Sequence, residues 1–358
     1  IAHIDFGSTD IDALFRFIEA NPGLGSTYLN QWAVQLGSSP STPPVLTTDM
    51  IFSEKIGACV SLKNLSSVDV SANHCPKPAG GQTDEAAPYV SFLLPLQNNA
   101  KIACTCVFAL FKTLTEVEGA ELIIVDDGST VDMSPIVYLV RRLRFLFGFR
   151  TVMLRLPQTV GFGGALNYGA GHASGRFACF LNADTFVVPG WLHPLIATFS
   201  VFQRAAVVGP LFIGHGNLIT EAGGYVYANA QAGNFMRGVE PNYEALYARR
   251  VNYISAACIV IRIDVFRHVG GFDEMYGRGY YEDTDLAMAV QSAGWDVIYQ
   301  PLSIVYHQEG SSFGSDSPLK QYYMKVNRIR YYKKWREHLT KSVPHLTMTR
   351  GLSEPCTC

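Results

Sequence analysis

Charged residues are scarce in this chain of 358 residues, at 16%, and neither sign dominates, because 28 Lys and Arg oppose 30 Asp and Glu. A formal net charge of −2 argues against a protein that coats nucleic acid through a basic surface, so no nucleic-acid partner is expected. No apolar run reaches the ~18 residues that a membrane-spanning helix needs, so no transmembrane segment is expected in this chain. The hydrophobic share of 48% supplies a large core and excludes global disorder.

Targeting and zinc-binding patterns are also missing. The N-terminal residues lack the charged and apolar blocks of a signal peptide. The chain begins at Ile1, so we expect a processed or excised segment. The eight cysteines form no CxxC pair, so a structural zinc site is not expected, while their even number permits disulfides. The compartment stays open between a secretory or Golgi lumen and a membrane-associated position in the cytosol.

Residues 1–88 differ in composition from the rest of the chain. Clusters of Gly, Ser, Thr and Pro recur at 37–44 and 76–82, and such clusters indicate loops. A helix is predicted from Asp10 to Ala20, because its apolar residues share one face. We interpret the chain as an N-terminal appendage and linker (1–88), a main domain (89–340) and a C-terminal tail (341–358).

From Tyr89 onward, short apolar runs alternate with segments of helical periodicity. This alternation predicts a mostly parallel sheet covered by helices on both faces. In such sheets, ligands bind beyond the carboxyl ends of the strands. The predicted strands are 89–95, 121–125, 151–156, 177–181, 205–212, 252–262 and 296–299, and the predicted helices are 104–114, 135–149, 163–173, 284–293 and 319–338.

Two short acidic motifs follow predicted buried strands. In Val125–Ser129 (VDDGS), carboxylates at a strand end can accept hydrogen bonds from a ribose or a base N–H. In Leu181–Thr185 (LNADT), one carboxylate at the sheet edge can hold Mg²⁺ or Mn²⁺, which favour few protein carboxylates plus substrate phosphates. Each motif taken alone also fits a capped turn without a ligand.

The densest acidic segment contains five carboxylates from Asp273 to Asp285, interleaved with glycine and aromatic residues. Glycine beside aromatic rings favours a loop lining a cleft over a solvated helix face. Glu282 and Asp283 then begin a predicted helix together with Asp285, and one of these carboxylates can act as a general base. His307 follows in a polar segment, which favours a site position, although a lone His is more often structural.

Taken in order, the motifs resemble those of inverting family 2 glycosyltransferases with a GT-A fold, closest to the rhamnosyl- and galactofuranosyl-transferase-like branch. The resemblance covers roughly residues 89–335. The segments that carry it are Ser91–Asn98, Val125–Ser129, Val160–Asn167, Leu181–Thr185, Gly271–Glu274, Tyr281–Leu286 and Val305–His307.

This resemblance implies an α/β protein of the GT-A type, with a Rossmann-like, mostly parallel central sheet flanked by helices and a small N-terminal appendage. It implies a metal-dependent, inverting glycosyltransferase that uses Mn²⁺ or Mg²⁺ and a UDP- or dTDP-sugar donor, with a UDP-sugar favoured. The acceptor hydroxyl would belong to a glycan, a lipid-linked glycan or a protein.

The resemblance also assigns roles to individual residues. Asp283 is expected to be the catalytic base with Glu282 beside it, and Asp184 and His307 to be the metal ligands. The segment ending at Asp184 lacks the first carboxylate of the family's DXD motif, which weakens the metal expectation. The expected nucleotide-sugar contacts are Pro95, Leu96, Asn98, Asp126, Asp127, Gly163, Asn167, Asn182 and Ala183, and the expected acceptor contacts are Gly271, Phe272, Asp273, Glu274, Tyr281 and Asp285.

Two other functions fit parts of the pattern. A sugar nucleotidyltransferase also combines a nucleotide-binding α/β sheet with a metal, but its first loop is rich in Gly, Arg and Lys. Here the loop 96–101 contains a single Lys. A catalytically inactive nucleotide-sugar- or glycan-binding module is the second alternative, and the presence of both Asp283 and His307 argues against it. A dinucleotide-binding fingerprint is disfavoured, because Leu166 stands where its third glycine is needed.

Overall fold

The structure is a computed structural model that describes residues 89–114, 119–147, 150–308 and 317–342. The described residues all belong to the same unit of the chain. The helix predicted from Asp10 to Ala20 lies outside the described residues, as does the rest of the predicted appendage. The division of the chain into an appendage, a main domain and a tail therefore stays a prediction.

The described residues form the following strands and helices. The strands are β1 (Val90–Leu96), β2 (Ala120–Asp126), β3 (Arg150–Arg155), β4 (Phe177–Leu181), β5 (Thr185–Val187), β6 (Ala205–Ile213), β7 (Ile219–Glu221), β8 (Gly224–Val226), β9 (Ala232–Asn234), β10 (Arg249–Arg250), β11 (Cys258–Arg262) and β12 (Asp296–His307). The helices are α1 (Ala100–Leu114), α2 (Ser134–Phe147), α3 (Phe162–Ala170), α4 (Leu192–Val201), α5 (Ile263–His268), α6 (Glu282–Ser292) and α7 (Pro318–Ser342).

The main sheet has the strand order β10-β12-β6-β11-β4-β1-β2-β3. Strands β4, β1, β2 and β3 are parallel neighbours, and β12 is parallel to β6. Strand β11 runs antiparallel to both β4 and β6. The short strands β5, β7 and β10 are antiparallel additions, and β8 pairs with β9 in a separate hairpin. The predicted sheet, mostly parallel and flanked by helices, is therefore confirmed.

The central strands are buried along their whole length, including all of β1, β4 and β6. Helices cover both faces of a parallel sheet, which is why these strands appear in the sequence as continuous apolar runs rather than as alternating patterns. Burial of this kind fixes where the strands end, and the polar residues that follow them therefore lie at the rim of the sheet.

Four strand ends lie along one edge of the sheet. Leu96 at the end of β1 pairs with Asp126 at the end of β2, and β4 runs parallel to β1. Because β4 and β6 are both antiparallel to β11, and β12 is parallel to β6, β12 ends at the same edge. We call the rim formed by the ends of β1, β2, β4 and β12 the carboxyl edge.

Among the predicted elements whose bounds differ from the structure, two differences have a clear local cause. The strand predicted over 252–262 forms only at Cys258–Arg262, because the Ser255 N–H bonds to a carboxylate oxygen of Glu221 instead of a neighbouring strand. Helix α3 ends at Ala170 rather than 173, where Gly171 donates to the Asn167 carbonyl and closes the last turn. Among the described helices, none is long and apolar enough to cross a membrane.

Candidate active site

The turn after β4 meets the end of β12 at the carboxyl edge. Thr185 of β5 pairs with His307, so the preceding residue, Asp184, lies beside that imidazole. His307 Nε2 is 3.4 Å from Asp184 Oδ1, and both side chains are largely buried, with exposed fractions of 13% and 9%. The predicted pair of metal-binding side chains is therefore brought together, although their role as ligands stays a prediction.

Few side chains at this turn could coordinate a metal ion. Asn182 Oδ1 is buried and has no hydrogen-bond partner among the described residues. No group of three or more His, Cys, Asp or Glu side chains that could hold a metal occurs in the described part of the chain. One carboxylate, one imidazole and a nearby amide oxygen fit Mg²⁺ or Mn²⁺ only if water and substrate phosphates supply the other ligands. Ala183 between them is buried and contributes no side-chain donor.

The acidic pair Glu282 and Asp283 forms the first turn of α6. Asp283 Oδ1 accepts hydrogen bonds from Thr284 N at 2.6 Å and from Thr284 Oγ1 at 3.1 Å, and the Ala256 N–H also donates to this carboxylate. Glu282 is 8% exposed, and its Oε2 has no hydrogen-bond partner among the described residues. Anionic side chains are favoured in the first turn, where the helix dipole is positive.

The two carboxyl groups differ in how readily they ionise. Burial raises the pKa of Glu282 to about 8, and the adjacent charge of Asp283 adds to the effect. Burial also raises the pKa of Asp283, but the hydrogen bonds from Thr284 and Ala256 oppose that rise by stabilising the anion. Glu282 is therefore the member of the pair that holds a proton more strongly, and the hydrogen bonds to Asp283 favour its anionic form.

A short loop connects the acidic pair to the turn after β4. Ala256 donates its N–H to Asp283, and the next residue, Ala257, accepts a hydrogen bond from Asn182 N at 2.8 Å. The loop is held in turn by Glu221, whose Oε1 accepts from Ser255 N at 2.8 Å. Sequence reasoning missed Glu221, because nothing near it in the chain indicates that it supports a segment 34 residues away.

The acidic motif 125–129 is hydrogen-bonded to the residues just before α3. Asp127 Oδ1 accepts from Val160 N at 2.7 Å, while Oδ2 accepts from Thr159 Oγ1 at 2.8 Å and from Gly161 N at 3.0 Å. The carboxylate is buried and all three of these bonds are to the protein. Asp127 therefore fixes the glycine-rich segment, and its predicted contact with a nucleotide stays a prediction.

The other residues predicted to contact the nucleotide at β1 and β2 are also tied to the protein. Asp126 Oδ1 accepts from Ser129 N at 2.9 Å, and Arg155 Nε lies 3.6 Å from Oδ2. Asn98 Oδ1 accepts from Thr130 N at 2.8 Å and so closes the loop after β1. The two remaining predicted residues of β1, Pro95 and Leu96, are buried in register with Val125 and Asp126.

Two residues assigned to the donor instead organise the segment assigned to the acceptor. Both polar atoms of the Asn167 amide bond to Phe272, Nδ2 donating to the carbonyl at 2.8 Å and Oδ1 accepting from the N–H at 2.9 Å. A Cβ at Gly163 would lie 2.9 Å from Phe272 Cβ, so glycine permits this close packing. The Phe272 ring packs against Phe266 and Phe180. Direct contact of Asn167 or Gly163 with a donor stays a prediction.

Two of the residues predicted to contact the sugar acceptor, Asp273 and Asp285, are anchored to α7. Lys334 Nζ lies 2.7 Å from Asp273 Oδ2 and 2.8 Å from Asp285 Oδ2. The other oxygen of Asp285 accepts from Trp335 Nε1 at 2.6 Å and from Tyr276 OH at 2.9 Å. The Asp285 carboxylate thus serves the fold in the structure, and its contact with an acceptor stays a prediction.

A cavity of about 360 Å³ lies beside these anchors and is lined by Gly271, Phe272, Asp273, Glu274 and Asp285, among others. Glu274 is exposed at this surface. Tyr281 lies apart from the cavity lining, and its hydroxyl donates to the Ala230 carbonyl at 2.8 Å. Of the six predicted acceptor residues, five therefore share one cavity.

The sequence of this chain is similar to those of known proteins. The sequence model of the family described as glycosyl transferase family 2 matches residues 91–270. The pre-mycofactocin glycosyltransferase of Mycobacterium tuberculosis is 26% identical over 67% of this chain and 46% of its own length. The O-antigen biosynthesis protein RfbC of Myxococcus xanthus is 27% identical over 73% of this chain and 20% of its own length. The chain thus spans less than half the length of either relative.

Solved structures share the fold. GalNAc-T7 in complex with UDP, GalNAc and Mn²⁺ matches 71% of this chain and 50% of its own, with a TM-score of 0.54 at 20% identity. TarS 1-349 of S. aureus in complex with UDP-GlcNAc matches 70% of this chain and 69% of its own, with a TM-score of 0.50 at 18% identity. The GT-A fold expected from the sequence is therefore confirmed.

Proposed function

Because the chain belongs to glycosyl transferase family 2, we propose that it transfers a sugar from a nucleotide-diphosphate donor to an acceptor hydroxyl with inversion at the anomeric carbon. The observation that carries this proposal is the loop 255–257, which contacts both the Asp283 carboxylate and the turn leading to Asp184. This arrangement supports Asp283 as the proposed general base and Asp184 as a proposed metal ligand of the same site. Structural neighbours solved with UDP or UDP-GlcNAc support a UDP-sugar as the donor, ahead of a dTDP-sugar.

Asp283 is the proposed general base. An acceptor hydroxyl is a weak nucleophile, so its proton must leave as the oxygen attacks the anomeric carbon. The bond to that carbon forms as its bond to the diphosphate oxygen breaks, and Asp283 takes the proton. The pKa of Asp283 is raised by burial, which makes it a stronger base than a solvated carboxylate. Glu282 holds a proton more strongly and so leaves this role to its neighbour.

Asp184 and His307 are the proposed ligands of Mn²⁺ or Mg²⁺. When bound there, such an ion supplies positive charge that stabilises the departing diphosphate. The buried Asn182 Oδ1, which lacks a partner among the described residues, would contribute a further oxygen at this turn. The residues Pro95, Leu96, Asp126 and Asp127 shape the neighbouring part of the edge, where the nucleotide is proposed to bind.

The experiment that tests the function is a panel of nucleotide sugars assayed with Mn²⁺, Mg²⁺ or EDTA for nucleotide release and thermal shift. We expect one nucleotide sugar, in the presence of metal, to release its nucleotide and to raise the melting temperature. A ligand at 100 times its dissociation constant stabilises a fold by about 2.7 kcal/mol, which a thermal shift detects. Failure of every donor with both metals would contradict the proposal. Donor binding without turnover in the presence of candidate acceptors would instead indicate the inactive binding module.

The substrates of a sugar nucleotidyltransferase distinguish that alternative from the proposed glycosyltransferase. Such an enzyme would release pyrophosphate from a nucleoside triphosphate and a sugar phosphate, whereas the proposed transferase would not. Lys101 is the one basic residue of the segment 96–101, whereas a nucleotidyltransferase grips a triphosphate with several Arg and Lys side chains in its first loop. We therefore expect no pyrophosphate release in this assay.

A further inference from the structure

The backbone just before the acidic pair adopts an unusual conformation. Tyr280 and Tyr281 have φ angles of 70° and 74°, in the left-handed region that bulky residues rarely occupy. Such a conformation is energetically costly, so it persists only where the surroundings enforce it. Because Glu282 and Asp283 follow directly, these two tyrosines set the direction in which α6 starts.

One side chain of α7 holds this segment. Asn327 is fully buried, and its Nδ2 donates to the carbonyls of Tyr276, Gly279 and Tyr280 at 2.8, 2.9 and 3.0 Å. Its Oδ1 accepts from Arg330 Nη1 at 3.0 Å, which fixes the orientation of the amide. A single amide group thus gathers three backbone carbonyls that lie within the seven residues before Asp283.

We propose that Asn327 is a positioning residue for Asp283. It acts on the backbone of 276–281, while the Asp283 carboxylate takes the proton. This inference rests on the proposed function. Without the amide donors, buried carbonyls would lose their partners, and the left-handed pair would relax toward ordinary backbone angles. The start of α6 would then shift relative to Ala256, and a displacement of about 1 Å at a reacting group can lower a rate by about 100-fold.

The test compares Asn327→Asp with Gln321→Glu. Both variants convert an amide to a carboxylate on α7, but Gln321 is exposed, so it serves as the matched control. Asn327→Asp keeps the size of the side chain and replaces the donating amide with an acceptor that faces three carbonyls. Hydrogen–deuterium exchange by mass spectrometry would follow 276–285 against β1 and β2, and kcat would be measured beside the Kd for UDP with Mn²⁺.

We expect Asn327→Asp to speed exchange at least tenfold over 276–285, leaving β1 and β2 protected. Its kcat should fall 10- to 100-fold with little change in the Kd for UDP, and the control should behave as wild type. Unchanged exchange over 276–285 would overturn the proposal, as would unchanged kcat in a variant whose segment has opened.

Two further arms keep the result decisive. If Asn327→Asp does not fold, Asn327→Ser, which retains one donor, replaces it. Faster exchange throughout Asn327→Ser would overturn the positioning role, because it would indicate a contribution to stability alone. If the wild type releases no sugar from any donor, the proposed function fails, while the exchange pattern still decides whether Asn327 holds the backbone before Asp283.

Discussion

The carboxyl edge has two parts that use their polar side chains differently. At the ends of β1 and β2, the side-chain oxygens of Asp127 and Asn98 accept hydrogen bonds from other groups of the protein. At the turn after β4 and the start of α6, Asn182 Oδ1 and Glu282 Oε2 are buried without hydrogen-bond partners among the described residues. Asp126 Oδ2 in the first part also lacks a hydrogen bond, but it lies 3.6 Å from Arg155 Nε. Buried oxygens without partners are costly, so Asn182 Oδ1 and Glu282 Oε2 favour the second part as the place where a ligand binds.

The comparison indicates a division of labour. The first part is a scaffold in which acidic side chains fix loops, so that the backbone and the rim of the sheet form the surface. In the proposed function the second part carries the chemistry, and Glu282 Oε2 and Asn182 Oδ1 are buried there without hydrogen bonds. Removing the Asp127 carboxylate in the first part should therefore affect mainly stability, whereas removing the Asp283 carboxylate in the second should affect mainly turnover.

The largest effect is expected for Asp283→Asn. Loss of the general base should lower kcat by about 10²- to 10⁴-fold. Thermal stability should be unchanged or higher, because the amide oxygen can still accept the bonds from Thr284 and Ala256 and no charge is buried. Steady-state kinetics and a thermal melt of the same preparation check both outcomes.

Asp285→Asn is the matched control for that variant, two positions along the same helix. It removes the charge that pairs with Lys334, so it should lower the melting temperature. A wild-type rate in Asp283→Asn would mean that the base lies elsewhere.

A smaller effect is expected for Asp127→Asn. Hydrogen bonds to charged groups contribute about 1.5–3 kcal/mol each, and at least one of the three at Asp127 is lost when an oxygen becomes an NH₂ group. The free energy of unfolding should fall by about that amount, while kcat should fall less than in Asp283→Asn. Denaturant unfolding measures the first quantity, and unchanged stability would show that Asp127 is not part of the scaffold.

The effect expected from Glu282→Gln is on the pH dependence of stability rather than on the rate. The folded pKa of Glu282, about 8, lies above the unfolded value of 4.5, so between these values the folded state binds more protons than the unfolded state. The contribution of Glu282 to stability is therefore full below pH 4.5 and is lost as the pH rises through 8. Glu282→Gln should melt at a temperature less sensitive to pH over that interval, and an equal slope in both proteins would refute the assignment.

Much of the fold was predictable from the sequence because β1 and β4 are buried throughout and β2 nearly so, which makes them visible as short apolar runs. The bounds predicted for β4, 177–181, match the structure, and those for β1 to β3 differ by one residue at each end. Strand β12 was predicted to end at 299 but continues to His307, across a register shift between Gln300 and Ile304. Pro301 and the polar residues beside it break the local apolar pattern there, while pairing with β6 restores the strand.

The site was predictable only in part, for a related reason. The motif after β4 singled out Asp184, the acidic segment 273–285 singled out Asp283, and the polar residues after His307 singled out that imidazole. The roles of all three stay predictions. The contacts that orient them join distant residues: Asn167 holds Phe272, 105 positions away, and Asn327 holds Tyr280, 47 positions away. No local spacing encodes such pairs, so the supporting roles of Asn167 and Asn327 appear only in the folded chain.

Calorimetric titration of Mn²⁺ in the presence of UDP tests the central claim most directly, because it does not depend on finding the acceptor. Wild type and Asp283→Asn should bind the ion with the same affinity. Asp184→Asn and His307→Ala should bind it at least 10-fold more weakly, because even the loss of a residue that only orients a metal ligand lowers affinity by about 10-fold or more. Equal affinity in all four proteins would contradict a metal–nucleotide site at the carboxyl edge.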